Sequence, residues 1–346
     1  DKSGHLYKVN SFDFHRYEDT IKLADDPDYN QANFEGMLEI KGDSDHTKLI
    51  EMLDALNDES QKIDDVLDTY FDTENLVYWL AFQILTGNCD TQNRNCYLYS
   101  PLNSNTWYIL DWDNDGMLRK LELSLAGFSD YASWERGVSN YWGNVLFNRA
   151  LRSESFRSEL DRAVKNLRSY MTEARLAKMI KHYREVTESL VFALPDIDNL
   201  PVTKDQYERI AAAIPSEIEE NYKSFRESYK KPMPFYIGVP QIDNGKLRIN
   251  WDASYDFKAR DIRYAVELAR DYAISDVLFK AEDVLLPEVT CDAPDAGQYF
   301  VRVRATNSDG YTQDAFDYYV TDDGKHYGMK CFYVQDGGKV VEDTYE

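Results

Sequence analysis

The residues best equipped for chemistry fall in two short runs, Asn88-Cys89-Asp90-Thr91-Gln92-Asn93-Arg94-Asn95 and Leu110-Asp111-Trp112-Asp113-Asn114-Asp115-Gly116. The first holds an Asp and, five residues on, an Asn; the second holds Asp at alternate positions and then Gly. A divalent metal and a phosphate call for hard oxygen ligands with a free carboxylate nearby as a base, and these runs can supply both. The Asp90/Asn95 spacing equals that of the catalytic loop of protein kinases, where the Asp positions the substrate hydroxyl and the Asn binds metal; alone, the pattern is common by chance. A second reading uses the same carboxylates. Asp111-x-Asp113-x-Asp115-Gly116 followed by Glu122 matches an EF-hand calcium loop position for position, with Leu118 at its aliphatic place. Both readings have Asp113 and Asp115 facing a hard cation. The plain alternatives are that Asp90 caps a turn and that residues 111–115 are the solvated end of a hairpin in an acidic protein.

These runs need elements to bring them together. Asp72-Thr73 with Asn75 is a helix start, and Leu76 to Leu85 is almost wholly apolar, which predicts a buried helix delivering the first run. Tyr97-Leu98-Tyr99 and Trp107-Tyr108-Ile109-Leu110, joined by a turn-rich link, predict a β-hairpin. Antiparallel strands return to where they began, so Asn95 and residues 111–115 should share one end. A strand at that place argues against a true EF-hand, which needs a helix there. Upstream, Leu6-Tyr7-Lys8-Val9 reads as a strand within an otherwise irregular first 42 residues, and Leu49, Ile50, Leu53 and Leu56 recur at helical spacing. From Tyr141 to Tyr229 the period is helical. Val145 to Leu151, Phe156 to Leu167, a Thr172-capped stretch with Leu176, Met179, Ile180 and Tyr183 on one face, and Lys204 to Tyr229 each read as a helix. Past Lys231-Pro232-Met233-Pro234 the period becomes two, in Lys246 to Trp251, Tyr264 to Leu268 and Tyr299 to Ala305, which predicts a small antiparallel β-sandwich.

A chain of 346 residues, 43% hydrophobic and 14% aromatic, is too apolar to be disordered and long enough for two cored domains. Its net charge of -23 opposes binding to nucleic acid and anionic membranes. No run is long enough for a membrane span, and no signal peptide is visible in a sequence that begins at Asp1 and reads as a mature or truncated form. The four Cys form no CxxC pair, although Cys89 and Cys96 flank the first loop, and five scattered His suggest no His-based zinc site. Trp79, Trp107, Trp134 and Trp142 read as core, and Trp112 as packed under its loop.

Residues 72–118 with their flanks resemble the CotH kinase family of spore-coat and bacterial surface proteins. The resemblance rests on the helix, the Asp90 loop, Asn95-Cys96-Tyr97, the aromatic strand at Trp107, and Trp112-Asp113-Asn114-Asp115-Gly116; the helices from Val145 to Lys231 follow the same layout. It implies an atypical kinase that transfers phosphate from ATP to Ser/Thr with Mg²⁺ or Mn²⁺. Asp90 is then the catalytic Asp. Asn95 and Asp113 bind metal and nucleotide, Asp113 standing in for the Asp of the kinase Asp-Phe-Gly motif, and Asp115 is the next ligand. Asp111 is an extra carboxylate where the family usually has Pro, and Thr91 stands where Arg or Asn is frequent. No Gly-rich phosphate loop is present, Lys8 lies outside the usual context of a nucleotide lysine, and the chain is expected to start near the lobe connection. Separately, Val301 to Asn307 followed by Gly310, with Trp251 upstream, resembles a fibronectin type III module.

The expectation is therefore an α+β protein. Residues 1–233 form a mainly helical, kinase-like C-terminal lobe with a β-hairpin active-site region and no N-terminal lobe, and residues 234–346 form a fibronectin type III-like antiparallel β-sandwich. The expected activity is ATP-dependent phosphorylation of a surface or coat protein, with this piece inactive by itself. The alternative is a non-catalytic surface scaffold whose Asp-rich loop holds a structural Ca²⁺. A protein partner, no nucleic acid, and a secreted, bacterial-surface or spore-coat location complete the expectation.

Overall fold

A helix apolar on nearly every side has to lie inside a core, and Thr73–Thr86 does so. Asp72 caps its first turn by accepting from the Asn75 N–H at 2.8 Å, and Gly87 ends it in the left-handed conformation that costs glycine nothing. The computed structural model describes residues 4–125, 132–322 and 324–343. The chain divides into two units, residues 1–129 with 136–225, and residues 130–135 with 226–346.

In the first unit, β1 (Gly4–Val9), β2 (Leu38–Ile40), β3 (Cys96–Pro101) and β4 (Tyr108–Asp111) form an antiparallel sheet in the order β2-β1-β3-β4. Alternation turns His5, Tyr7, Val9, Cys96, Leu98 and Ser100 to the buried face. β3 and β4 are the expected hairpin, with Cys96 opposite Asp111. The stretch expected to be irregular also holds α1 (Gln31–Met37), capped by Asn30. Around the sheet lie α2 (Thr47–Asn57), α3 (Ile63–Tyr70), α4 (Thr73–Thr86), α5 (Lys120–Leu125), α6 (Val145–Arg152), α7 (Glu154–Tyr170), α8 (Glu173–Val191) and α9 (Lys204–Ser228). Trp79 of α4 stacks on Phe147 of α6 with centroids 5.7 Å apart, and Trp107 and Trp142 are buried as expected. Cys89 and Cys96 are free thiols.

The second unit is built from strands. β5 (Gln241–Asp243), β6 (Lys246–Asn250) and β9 (Glu288–Asp292) make one sheet. β7 (Ile262–Ala269), β8 (Val277–Val284), β10 (Gly297–Asn307), β11 (Thr312–Asp314), β14 (Met329–Val334) and β15 (Val340–Glu342) make a second, ordered β15-β14-β10-β7-β8 with β11 beside β10. β12 (Tyr318–Thr321) pairs with β13 (Gly324–Tyr327). Leu247 and Ile249 from one sheet meet Val266, Leu268, Val301 and Val303 from the other in a single core that also takes in Trp251. Trp134 packs edge-on against Phe316 at 5.0 Å. Among the described residues, no helix is long and apolar enough to cross a membrane.

Candidate active site

Both loops hang from α4. Gln83, fully buried one turn before its end, donates from Nε2 to Asp111 Oδ1 at 2.8 Å and to Asn114 Oδ1 at 3.2 Å; its Oε1 accepts from Asn88 Nδ2 at 3.0 Å. One amide thus ties the first loop to the second. Asn75, at the other end of α4, grips β4: its Oδ1 accepts the Ile109 N–H at 2.8 Å and its Nδ2 donates to the Ile109 carbonyl at 3.1 Å, as a neighbouring strand would. The Leu118 N–H returns to the Thr86 carbonyl at 2.8 Å. The loops then close on each other at Gly116, where an added Cβ would lie 2.7 Å from Asn88 Oδ1 and 3.3 Å from the Asp90 Cβ. Only glycine permits that approach, and it sets Asp90 against the Asp-rich loop.

The first loop is also held from beneath. Thr91 Oγ1 and the Tyr141 hydroxyl are 2.9 Å apart, and that hydroxyl donates to the Asn88 carbonyl at 3.1 Å. Asn144 Nδ2 donates to the Gln92 carbonyl at 2.9 Å, and the Phe12 N–H to the Asn93 carbonyl at 2.7 Å. Burial pushes the Tyr141 hydroxyl far above its ordinary pKa, so it stays a neutral donor. Gln83, Asn75, Tyr141 and Asn144 have no part in the site as read from the sequence. The available signal was an amide embedded in the apolar run of α4, which has to find buried partners.

The candidate side chains differ in how far the fold uses them. Asp90 is exposed; its Oδ2 accepts from Asn95 Nδ2 at 2.8 Å, and Arg94 Nε lies 3.5 Å from its Oδ1. Asn95 Oδ1 accepts no hydrogen bond among the described residues. Burial raises the Asp111 carboxyl above its ordinary pKa, an effect its bond to Gln83 opposes; it serves the loop junction. Asp113 and Asp115 are exposed and make no side-chain hydrogen bond or ion pair among the described residues. Asn95 (φ 59°), Asp113 (φ 54°) and Leu118 (φ 55°) all take the left-handed backbone conformation. Each such residue costs about 1 kcal/mol, least for Asn and Asp, and such outliers concentrate at functional sites. Trp112, expected beneath the loop, instead stands 45% exposed, with Tyr97 edge-on at 5.2 Å and Lys8 Nζ 5.8 Å from its ring centroid.

Among the described residues, no group of three or more His, Cys, Asp or Glu is arranged to hold a metal ion. Asp111, Asp113 and Asp115 therefore do not close into an all-protein cage. The EF-hand reading fails on geometry: β4 precedes the loop, and Glu122, which would complete it, is gripped by Arg119 at 2.7 and 3.1 Å.

The family model for CotH kinase proteins matches residues 1–225. The chain belongs to the CotH kinase family. The CotH match takes in both loops and every residue that holds them, and it ends at Phe225, where the first unit ends. In coarse terms, membership makes this unit kinase-like. No curated protein matches the chain. Among solved structures, the twitchin kinase region from C. elegans (Fn31-NL-kin-CRD-Ig26) is similar over 28% of this chain and 20% of its own, at 18% identity and a TM-score of 0.21. The chain thus spans about a fifth of that structure's length, and at that score the likeness carries no argument.

Proposed function

We propose that the CotH unit supports metal-dependent transfer of the terminal phosphate of ATP to a Ser/Thr hydroxyl of a surface or coat protein. The observation that supports this reading is the closure of the loops at Gly116, which brings Asp90 against the loop whose Asp113 and Asp115 are exposed and have no side-chain partner among the described residues. Asp90, steadied by Asn95 Nδ2, orients the acceptor hydroxyl. Asn95 Oδ1 and Asp113 would hold the divalent ion, with Asp115 next in reach, while Asp111 remains the acceptor for Gln83. Bound there, the ion supplies neutralisation of phosphate charge. Gln83, Asn75 and Tyr141 keep the loops in place, so little reorganisation accompanies the reaction.

The second unit, in the proposed division at about residue 233, is read as a fibronectin type III-like module. The support is a three-stranded sheet facing a larger one across buried Trp251, and the Tyr299 hydroxyl donating to the Asp295 carbonyl at 2.9 Å, a corner typical of such sandwiches. A secreted, cell-surface or spore-coat setting accords with both units.

Thermal melts with Mg²⁺, Mn²⁺, Ca²⁺ and ATP test the reading. A rise that needs metal and ATP together, and is lost in Asp113→Asn without change in the unliganded melt, is the expected result, since Asn tolerates the left-handed backbone at that position; ligand at a hundred times its Kd adds about 2.7 kcal/mol. A rise with Ca²⁺ alone would transfer the site to a scaffold with a structural cation. No response to any of them would overturn the proposal.

A further inference from the structure

One lysine of β14 points to the inner side of its sheet. Lys330 stands opposite Val301 and two residues before Phe332, both in the core of the second unit, so alternation turns its side chain the same way as theirs. Its side chain is 14% exposed and that of Asp317 10%. Nζ lies 3.0 Å from Asp317 Oδ1 and 2.5 Å from Oε1 of Glu342, which sits on β15 opposite Phe332. Asp317 Oδ2 accepts the N–H of the buried Ile237 at 2.7 Å. An amine, a carboxyl group and a second carboxylate thus meet where little water reaches.

Full charges forfeit hydration in such a place. Burial raises the Asp317 carboxyl above its ordinary pKa, an effect that Lys330 and the Ile237 N–H oppose. Burial works to lower the Lys330 ammonium, but Asp317 and Glu342 outweigh it and keep it raised. A free amine therefore arises here by passing a proton along these contacts to Asp317, not by losing it to solvent. Reacting atoms held at roughly 3–3.5 Å are placed for reaction, and the contact to Oδ1 brings Nζ close to that range from the carboxyl carbon.

We propose that Lys330 and Asp317 condense into an isopeptide bond, with Glu342 as the general base and acid. The Lys330 ammonium gives one proton, through Glu342, to Oδ1 of Asp317, which leaves a neutral amine beside a neutral acid. The nitrogen lone pair then adds to Cγ, and the Ile237 N–H stabilises the negative charge that develops on Oδ2. Glu342 takes a second proton from the nitrogen and passes it to Oδ1. The Cγ–Oδ1 bond breaks, water leaves, and Glu342 is again a carboxylate. Nothing is oxidised or reduced, and two buried charges become one neutral amide. The reaction belongs to the second unit and needs nothing from the CotH site.

Mass spectrometry of the full, denatured chain tests this. The expected mass is that of the sequence less one water. Trypsin should no longer cut after Lys330, so residues 326–339 should appear as one peptide joined covalently to residues 305–325. Lys330→Arg and Asp317→Ala should each show the full mass; should either lose its fold, the wild-type peptide map still decides. Glu342→Gln changes a partly exposed side chain and, sampled through expression, should form the link about a hundredfold more slowly. A wild-type chain of full mass that is cut normally after Lys330 would overturn the proposal and leave a buried ion cluster. So would a lost water that maps to a ring-closed Asp-Gly bond such as Asp309-Gly310, or a link that forms at the wild-type rate in Glu342→Gln.

Discussion

Asp256 in the second unit is buried among its partners, whereas Asp113 and Asp115 in the first stand exposed with none among the described residues. Asp256 Oδ1 accepts from Arg260 Nε at 3.0 Å and from the Lys258 N–H at 2.8 Å, and its Oδ2 from Asn307 Nδ2 at 2.9 Å. Arg260 in turn reaches Asp309 at 2.7 Å and the Lys230 carbonyl at 2.8 Å. Lys330 is treated likewise, lying 3.0 Å from Asp317, whose other oxygen accepts the Ile237 N–H at 2.7 Å. In these clusters each charge answers another, and the fold depends on them. In the second loop of the CotH unit, the carboxylates of Asp113 and Asp115 answer nothing among the described residues, and the backbone is held left-handed at Asp113. Charge on strained backbone with no partner among the described residues is the observation on which the proposed site rests.

The contrast is broken most forcefully at Asp256. Asp256→Ala removes the buried one of the two countercharges of Arg260, with Asp309 remaining, and strands Asn307 Nδ2, and should destabilise the second unit by about 3 kcal/mol in urea unfolding. Burial by itself would raise the Asp256 carboxyl, but Arg260, Asn307 and the backbone N–H groups outweigh it and hold the carboxyl below its ordinary range. A depressed folded value means that its contribution is complete above the unfolded pKa of about 3.9 and is lost as pH falls through the folded value. Asp256→Asn should therefore flatten the acid limb of the stability profile. If Asp256→Ala costs under about 1 kcal/mol, the cluster is not holding the fold and the comparison loses one side.

The next effect belongs to Gln83, which does for the loops what Arg260 does for the β unit. Gln83→Leu keeps the volume but takes the amide donor from Asp111 and leaves Asn88 Nδ2 and Asn114 Oδ1 only their 3.3 Å bond to each other at a partly buried junction. The expected cost is about 1–3 kcal/mol. Hydrogen exchange should show where it falls: the Leu118 amide, bonded to Thr86, should lose protection ahead of the sheet. Unchanged protection there would mean that the loops are fixed by something else.

How much of this was legible depends on whether the cause is local. The apolar run of α4, its Asp72 cap and the return of the β3–β4 hairpin are written in neighbouring residues, and they suffice to bring residues 88–95 and 111–115 to one end. The Gly116 contact with Asp90 and the reach of Gln83 are not local, because they depend on how far apart two backbones settle. α1 and α3 escaped notice because each is only two turns long and gains its stability from packing. The EF-hand spacing misled because spacing says nothing of the strand before the loop or of Arg119 taking Glu122. Trp112 was misplaced because its side chain follows the hairpin's last residues outward, alongside Tyr97 and Lys8. The chain joins the second unit ahead of its prolines, since the Lys230 carbonyl is bonded by Arg260 and Asn307, contacts that no composition shift announces.

The smallest effect is the sharpest test of the contrast, because its sign is unusual. At φ 54° and ψ 58°, Asp113 occupies a conformation that glycine enters freely. Asp113→Gly should relieve that strain and remove one carboxylate from an acidic loop. Against this stands the greater freedom of glycine in the unfolded chain. The balance should be a gain of up to about 1 kcal/mol in unliganded stability, while any stabilisation by metal with ATP disappears. A residue kept for the fold would behave in the opposite way, losing stability on substitution as Asp256 should. If Asp113→Gly costs more than about 1 kcal/mol, Asp113 is structural after all, and the loop carboxylates belong with the paired ones of the second unit.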